Sequence, residues 1–118
     1  MKVSELHGAL LDFWVGRCQG WHPSIIGDRC MQGRETSHEW IEFEPWSPST
    51  DWSIGGPIIE RERIELAPCS DLDTFLASIK PVRVFFYDEG LHPQFGPTML
   101  VAAMRCYVAS KFGEEVPA

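Results

Sequence analysis

Nowhere in the chain do about 18 apolar residues run together, the length a helix needs to cross a bilayer, so no membrane-spanning helix is expected. The opening Met1-Lys2-Val3-Ser4-Glu5 leads into an amphipathic pattern and not into the apolar block of an export signal, which sets the expectation of a cytosolic protein. Positive charge is also scarce: 10 Lys and Arg stand against 17 Asp and Glu, a formal net charge of −7. Non-specific nucleic-acid binding and attachment to anionic membranes need a basic surface, so neither is expected, although a local basic patch is compatible with the total. Close cysteine pairs are missing. Cys18, Cys30, Cys69 and Cys106 are widely and irregularly spaced, which in a chain without an export signal predicts reduced thiols and no disulfide. Cys18, His22, Cys30 and His38 can be written as C-x3-H-x7-C-x7-H, but structural zinc sites bring close ligand pairs, so no metal or other cofactor is expected. The sequence also lacks G-x-S-x-G, a P-loop, a dinucleotide fingerprint and H-E-x-x-H, which removes the usual local geometry for nucleophilic, phosphate-loop and metalloprotease chemistry.

With 118 residues and 44% hydrophobic content, the chain is long enough for one domain with a core and short for two, so a single globular domain over 1–118 is expected. Leu6, Ala9, Leu10, Phe13, Trp14 and Cys18 recur at three- and four-residue steps and predict a helix over 4–19, capped by Ser4 and stopped by Gly20. Gly8 and Gly16 each weaken that helix by roughly 1 kcal/mol relative to alanine, or else mark where another backbone packs closely. The stretch 21–36 has no sustained period and reads as loop with a short strand at 24–26. Residues 39–45 alternate as a half-buried strand does, with Ile41 and Phe43 on one face and Trp40, Glu42 and Glu44 on the other. Further strands are predicted at 64–67, 75–80 and 82–88, and 88–97 reads as loop. Thr98 can cap a largely apolar helix over 98–112 that must be buried, with Gly113 as its stop and 114–118 fraying beyond it.

The densest local signal is Ser47-Pro48-Ser49-Thr50-Asp51-Trp52-Ser53-Ile54-Gly55-Gly56-Pro57-Ile58-Ile59-Glu60-Arg61-Glu62-Arg63. Ser49, Thr50 and Asp51 carry the oxygens that cap exposed backbone N–H groups, and Pro57 suits the first position of a helix over 57–63. Helix-start chemistry alone accounts for all of this. A second account makes the stretch a ligand site: Ser49, Thr50 and Asp51 offer polar oxygens, Gly55 and Gly56 bare backbone N–H groups, and Trp52 a stacking face. Arg61 or Arg105 would neutralise a phosphate there. Arg105 stands out because it interrupts an apolar helix, and an internal salt bridge would also satisfy it. Glu42 and Glu44 share a strand face about 7 Å apart, a spacing some glycosidases use, but a solvated strand face explains them as well.

Ser4-Glu5-Leu6 with Gly8-Ala9-Leu10-Leu11-Asp12, the Ser47–Trp52 turn with Gly55-Gly56-Pro57-Ile58-Ile59-Glu60-Arg61-Glu62, and Gly96-Pro97-Thr98 with 102–111 form a pattern along the chain. In these pieces the sequence resembles a family of short phage and prophage proteins typified by NinX. More distantly, the order of elements is similar to phage α–β–α sandwich domains. The resemblance implies a phage origin and a host-cytosol setting, not a reaction. The segments 21–36 and 88–95 lie outside it.

The expected fold is therefore α+β, a small antiparallel sheet of three to four strands packed with two or three helices. The expected role is a non-catalytic binding protein that captures a small anionic or nucleotide-like ligand through Ser49, Thr50, Asp51, Trp52, Gly55, Gly56, Arg61 and Arg105. The competing readings are an interaction module that occludes a host protein, made credible by five tryptophans, and a small hydrolase. Self-association is compatible with each.

Overall fold

The computed structural model describes residues 1–35, 41–70, 73–79 and 91–117. A short 3-10 turn at Val3–Glu5 is followed by helix α1 (Gly8–Cys18) and strands β1 (Ser24–Ile26), β2 (Arg29–Glu35) and β3 (Ile41–Pro45). Helix α2 (Trp52–Glu62), strands β4 (Ile64–Pro68), β5 (Phe75–Ile79) and β6 (Leu91–Gly96), and helix α3 (Met99–Phe112) complete the order. The fold is α+β, and among the described residues its strands divide into two antiparallel sheets, β1-β2-β3 and β4-β5-β6. Among the described residues, no helix is long and apolar enough to cross a membrane.

The core gathers around α3, whose residues 100–104 and 106–109 are all buried. Leu6, Leu11 and Val15 meet it from one side, Ile58 from α2, and Ile64 and Ala77 from the second sheet. The small side chains of Ala102, Ala103 and Ala109 let neighbours approach the helix backbone. The closest approach is at Gly96, where an added Cβ would sit 2.5 Å from the Ala102 nitrogen.

Several boundaries move from their predicted places for identifiable reasons. Ser4 lies in the 3-10 turn and does not cap α1, which starts at Gly8, a residue with φ +58° that only glycine adopts freely. The helix ends as predicted at Gly20: its N–H donates to Arg17 O and that of Trp21 to Gly16 O, each at 3.0 Å, the paired pattern of a Schellman end. Helix α2 starts at Trp52 and not at 57, because Asp51 Oδ1 accepts from Ser53 N at 2.9 Å and nucleates it there, leaving Pro57 inside the helix. Helix α3 keeps its predicted limits, with Thr98 Oγ1 accepting from Val101 N at 3.1 Å.

In the stretch 21–36 the short strand predicted at 24–26 is present as β1, while β2 replaces the loop expected after it; the two form a hairpin in which Ile26 pairs with Arg29 across Gly27-Asp28. Strand β6 lies in the other stretch read as loop. It tolerates Pro93 because among the described strands it is the edge of its sheet, where a missing N–H costs no ladder bond. In β3, Phe43 points outward and is 53% exposed: Cys30 of β2 is buried, and Phe43, paired with Gly33, falls on the opposite face. In the tail predicted to fray at 114–118, the described residues 114–117 do not simply fray. Val116 is buried and exchanges hydrogen bonds with Met1, while Val3 N donates to Glu114 O at 2.9 Å. The strand predicted at 82–88 lies outside the described residues, as do Trp40 and His38.

Candidate functional site

The Ser47–Asp51 turn is built before it is useful. Ser47 O accepts from Thr50 N and Asp51 N, which closes the turn, and Pro48 is fully buried beneath it. Asp12, on α1, holds it from below: its carboxylate accepts from Ser49 N at 2.8 Å, and its carbonyl accepts from Trp46 Nε1 at 3.0 Å. Burial pushes the Asp12 carboxyl above the ordinary aspartate range, and the Ser49 hydroxyl and N–H pull it back. Ser49 Oγ itself is buried without a well-formed hydrogen bond, close enough to Asp12 to favour the carboxylate but not bonded to it in good geometry. Gly55 then brings α2 against this turn. A Cβ there would meet Pro48 O at 2.4 Å and Leu100 Cδ2 at 2.7 Å.

The result is an open cleft of about 480 Å³ between the first turns of α2 and α3, walled by Ser49, Thr50, Trp52, Phe75, Pro97, Thr98 and Met99. Trp52 is 53% exposed and Met99 37% exposed, so the cleft offers an indole and a thioether to a ligand. Helix N-termini carry partial positive charge and unpaired N–H groups. Neither α2 nor α3 has an acidic residue in its first turn. The nearby acid is Asp51, whose Oδ1 is engaged by the Ser53 N–H at 2.9 Å and the Ser53 hydroxyl at 2.6 Å. Those bonds, the hydroxyl first, hold its carboxyl below the ordinary range. Thr98, the cap of α3, is neutral.

Of the residues singled out from sequence, Ser49, Thr50 and Trp52 line this cleft, and Asp51 stands at its edge as a cap. Gly55 is buried, and its N–H donates to Asp51 O at 2.9 Å; its bare Cα serves packing, so it does not present an open N–H to a ligand. Gly56 lies against Trp52, with 3.9 Å between its Cβ position and the ring. The two arginines are elsewhere. Arg61 donates to Tyr107 Oη at 3.2 Å and Gln19 Oε1 at 3.3 Å and pairs with Glu62 at 3.5 Å, near Lys111. That cluster sits where α1, α2 and α3 end, and its cations offset the negative ends of three helices. Arg105 donates from Nε to Leu6 O and from Nη1 to Phe95 O, both at 2.8 Å, so among the described residues its partners are carbonyls and not the expected carboxylate.

Asp12 was the residue that sequence reasoning missed. It lies at one end of a second cavity of about 350 Å³ with Cys30, Trp46, Ser47 and Thr50, so Thr50 is common to both hollows. A lone acid between Leu11 and Phe13-Trp14, in an otherwise apolar run from Ala9 to Val15, was the available signal. Burial pushes the thiols of Cys18 and Cys106 up to about 12 and that of Cys30 to about 11, which removes all three as thiolate nucleophiles at neutral pH. Cys18 donates toward Tyr107 O and His22 contacts Arg17 Nη1, and among the described residues no three metal-type ligands gather.

Fold and site together define a small α+β protein with a cleft opening at two helix N-termini. The chain belongs to the Bacteriophage P22 NinX family, whose family model matches residues 2–111. Membership makes it a phage accessory protein. No curated protein was found to match it.

Proposed function

We propose that the protein acts without catalysis, by capturing a small anion that carries a flat ring system, of the nucleotide type, in the cleft between α2 and α3. The observation that carries this reading is the coincidence of an exposed Trp52 and two helix N-termini free of first-turn acids around one hollow. The ring stacks on Trp52 and Met99, and the charge lies at the α3 N-terminus beside Thr98. The positive end of a helix replaces the arginine that the sequence reading called for.

Titrating the protein with a panel of nucleoside monophosphates and cyclic dinucleotides, read by tryptophan fluorescence, tests this. A member of the panel is expected to bind, and Trp52→Ala is expected to weaken it by about 5- to 150-fold, the value of one base–aromatic stack of about 1–3 kcal/mol. Because Trp52 is half exposed, the same variant should unfold within about 0.5 kcal/mol of the wild type. Binding that Trp52→Ala leaves unchanged contradicts the reading.

One observation favours the interaction module instead. Ile26 and Phe43 are 57% and 53% exposed, and the strand register puts them on one face of the first sheet with Met31 between them. Capture of one stoichiometric host protein that Phe43→Ser abolishes and Trp52→Ala spares would favour that module.

A further inference from the structure

Arg105 organises a separate cavity of about 390 Å³, on residues other than those lining the Trp52 cleft. Its Nε and Nη1 are fixed by Leu6 O and Phe95 O at 2.8 Å each, which leaves Nη2 without a hydrogen-bond partner among the described residues. Two bonds to carbonyls orient a guanidinium but do not neutralise it. Its partial burial shows in the downward push on its acidity constant. Beside it stands Gln94, only 8% exposed, whose Oε1 is buried with no partner among the described residues. A buried amide oxygen left unpaired keeps its full desolvation penalty, which a guest that brings a donor would relieve, as an acceptor would satisfy the free guanidinium nitrogen.

The rim defines that guest further. Lys2, Glu114 and Glu115 line the same hollow, brought there by the pairing of the two chain ends, in which Lys2 bridges to Glu115. Two cations, Lys2 and Arg105, face two carboxylates, and among the described residues none of the four is tied in an ion pair. A simple anion would suffer from Glu114 and Glu115, and a simple cation from Arg105 and Lys2. We propose that this cavity is a binding site for a small zwitterion of the α-amino-acid type. Its carboxylate takes the free Nη2 of Arg105, and its ammonium donates to Gln94 Oε1 and faces Glu114. Arginine suits the carboxylate because its planar fork is held in place and stays charged.

The test is ligand-detected NMR on the full chain with the twenty common amino acids. Each amino acid that binds is then compared with its analogue lacking the amine and its analogue lacking the carboxylate. At least one amino acid is expected to bind, and both analogues are expected to bind at least about tenfold more weakly. Gln94→Met keeps the shape of the side chain and removes the acceptor, and Glu114→Gln removes an exposed charge. Both are expected to weaken binding while leaving the melting temperature in place or raising it, so the test does not depend on Arg105→Lys folding. Trp52→Ala should change nothing at this site. Absence of binding by all twenty at 10 mM, roughly ten times a weak millimolar constant, overturns the proposal. So does a carboxylic acid that binds as well as its parent amino acid, or binding untouched by Gln94→Met and Glu114→Gln.

Discussion

Gly55→Val is expected to lower the melting temperature by about 12 °C, because the new side chain has no place to go. Its Cβ alone would sit 2.4 Å from Pro48 O, a backbone atom of the turn, and 2.7 Å from Leu100 Cδ2 on α3. Neither can move freely: Pro48 is fully buried, and Leu100 is 4% exposed in the core helix. Overpacking of this kind costs about 3 kcal/mol, and in a chain of this length each kcal/mol is worth roughly 4 °C. The neighbouring substitution gives the opposite sign. At Gly56 the nearest atom to a new Cβ is Trp52 Cε3 at 3.9 Å, an ordinary contact. Gly56→Ala should therefore stabilise the helix by about 0.5–1 kcal/mol through backbone entropy. Thermal denaturation followed by circular dichroism checks both; a Gly55→Val protein melting within about 2 °C of the wild type would refute the packing account.

Asp12→Ala is expected to destabilise the fold by about 1–3 kcal/mol, since it strands the buried N–H of Ser49 and releases the turn that shapes the cleft. Asp12→Asn should recover most of that loss, because an amide oxygen still accepts the bond. The two also differ in pH dependence. Burial raises the Asp12 carboxyl above its unfolded value of 3.8, so between those values the folded state binds the extra proton. Stability contributed at this residue therefore falls as pH rises through that window and is fully present below it. Asp51, held low by Ser53, has the opposite sign: its contribution is present above the unfolded value and is lost on acidification through the folded one. Asp12→Asn removes the first trend and leaves the second, so on acidification its stability should fall more steeply than that of the wild type, as urea unfolding would measure. An Asn variant as unstable as the Ala variant, with the wild-type slope, would mean that Asp12 does not anchor the turn.

The helices were legible where the local signals agreed. Thr98 as cap, a long apolar run and Gly113 as stop set α3, and Gly20 set the end of α1. Where two signals conflicted, the stronger local bond won: Pro57 suggested a helix start, but Asp51 capping Ser53 opened α2 five residues earlier. Strand β2 was hidden because its sequence, Arg-Cys-Met-Gln-Gly-Arg-Glu, carries no alternation. The Gly27-Asp28 pair ahead of it is nevertheless a hairpin signal, and reading it would have found the first sheet. Pro93 hid β6 in the same way, since proline excludes a central strand but not an edge.

The site was half legible. Ser49, Thr50 and Trp52 are neighbours in sequence and stay neighbours in space, whereas the placing of Arg61 and Arg105 depends on where whole helices end. Spacing along the chain does not carry that information. Nor could it show that Phe75 and the Thr98 end of α3 would form the other wall, because those residues reach Trp52 only through tertiary packing.

The most direct measurement is a ¹H–¹⁵N NMR titration with the nucleotide panel. The reading predicts that a binding nucleotide moves the Trp52 indole signal and the amides of Ser49–Ser53 and Thr98–Val101, while those of Gln94, Arg105 and Arg61 stay in place. No shift from any member of the panel, or shifts centred away from the first turns of α2 and α3, would contradict it.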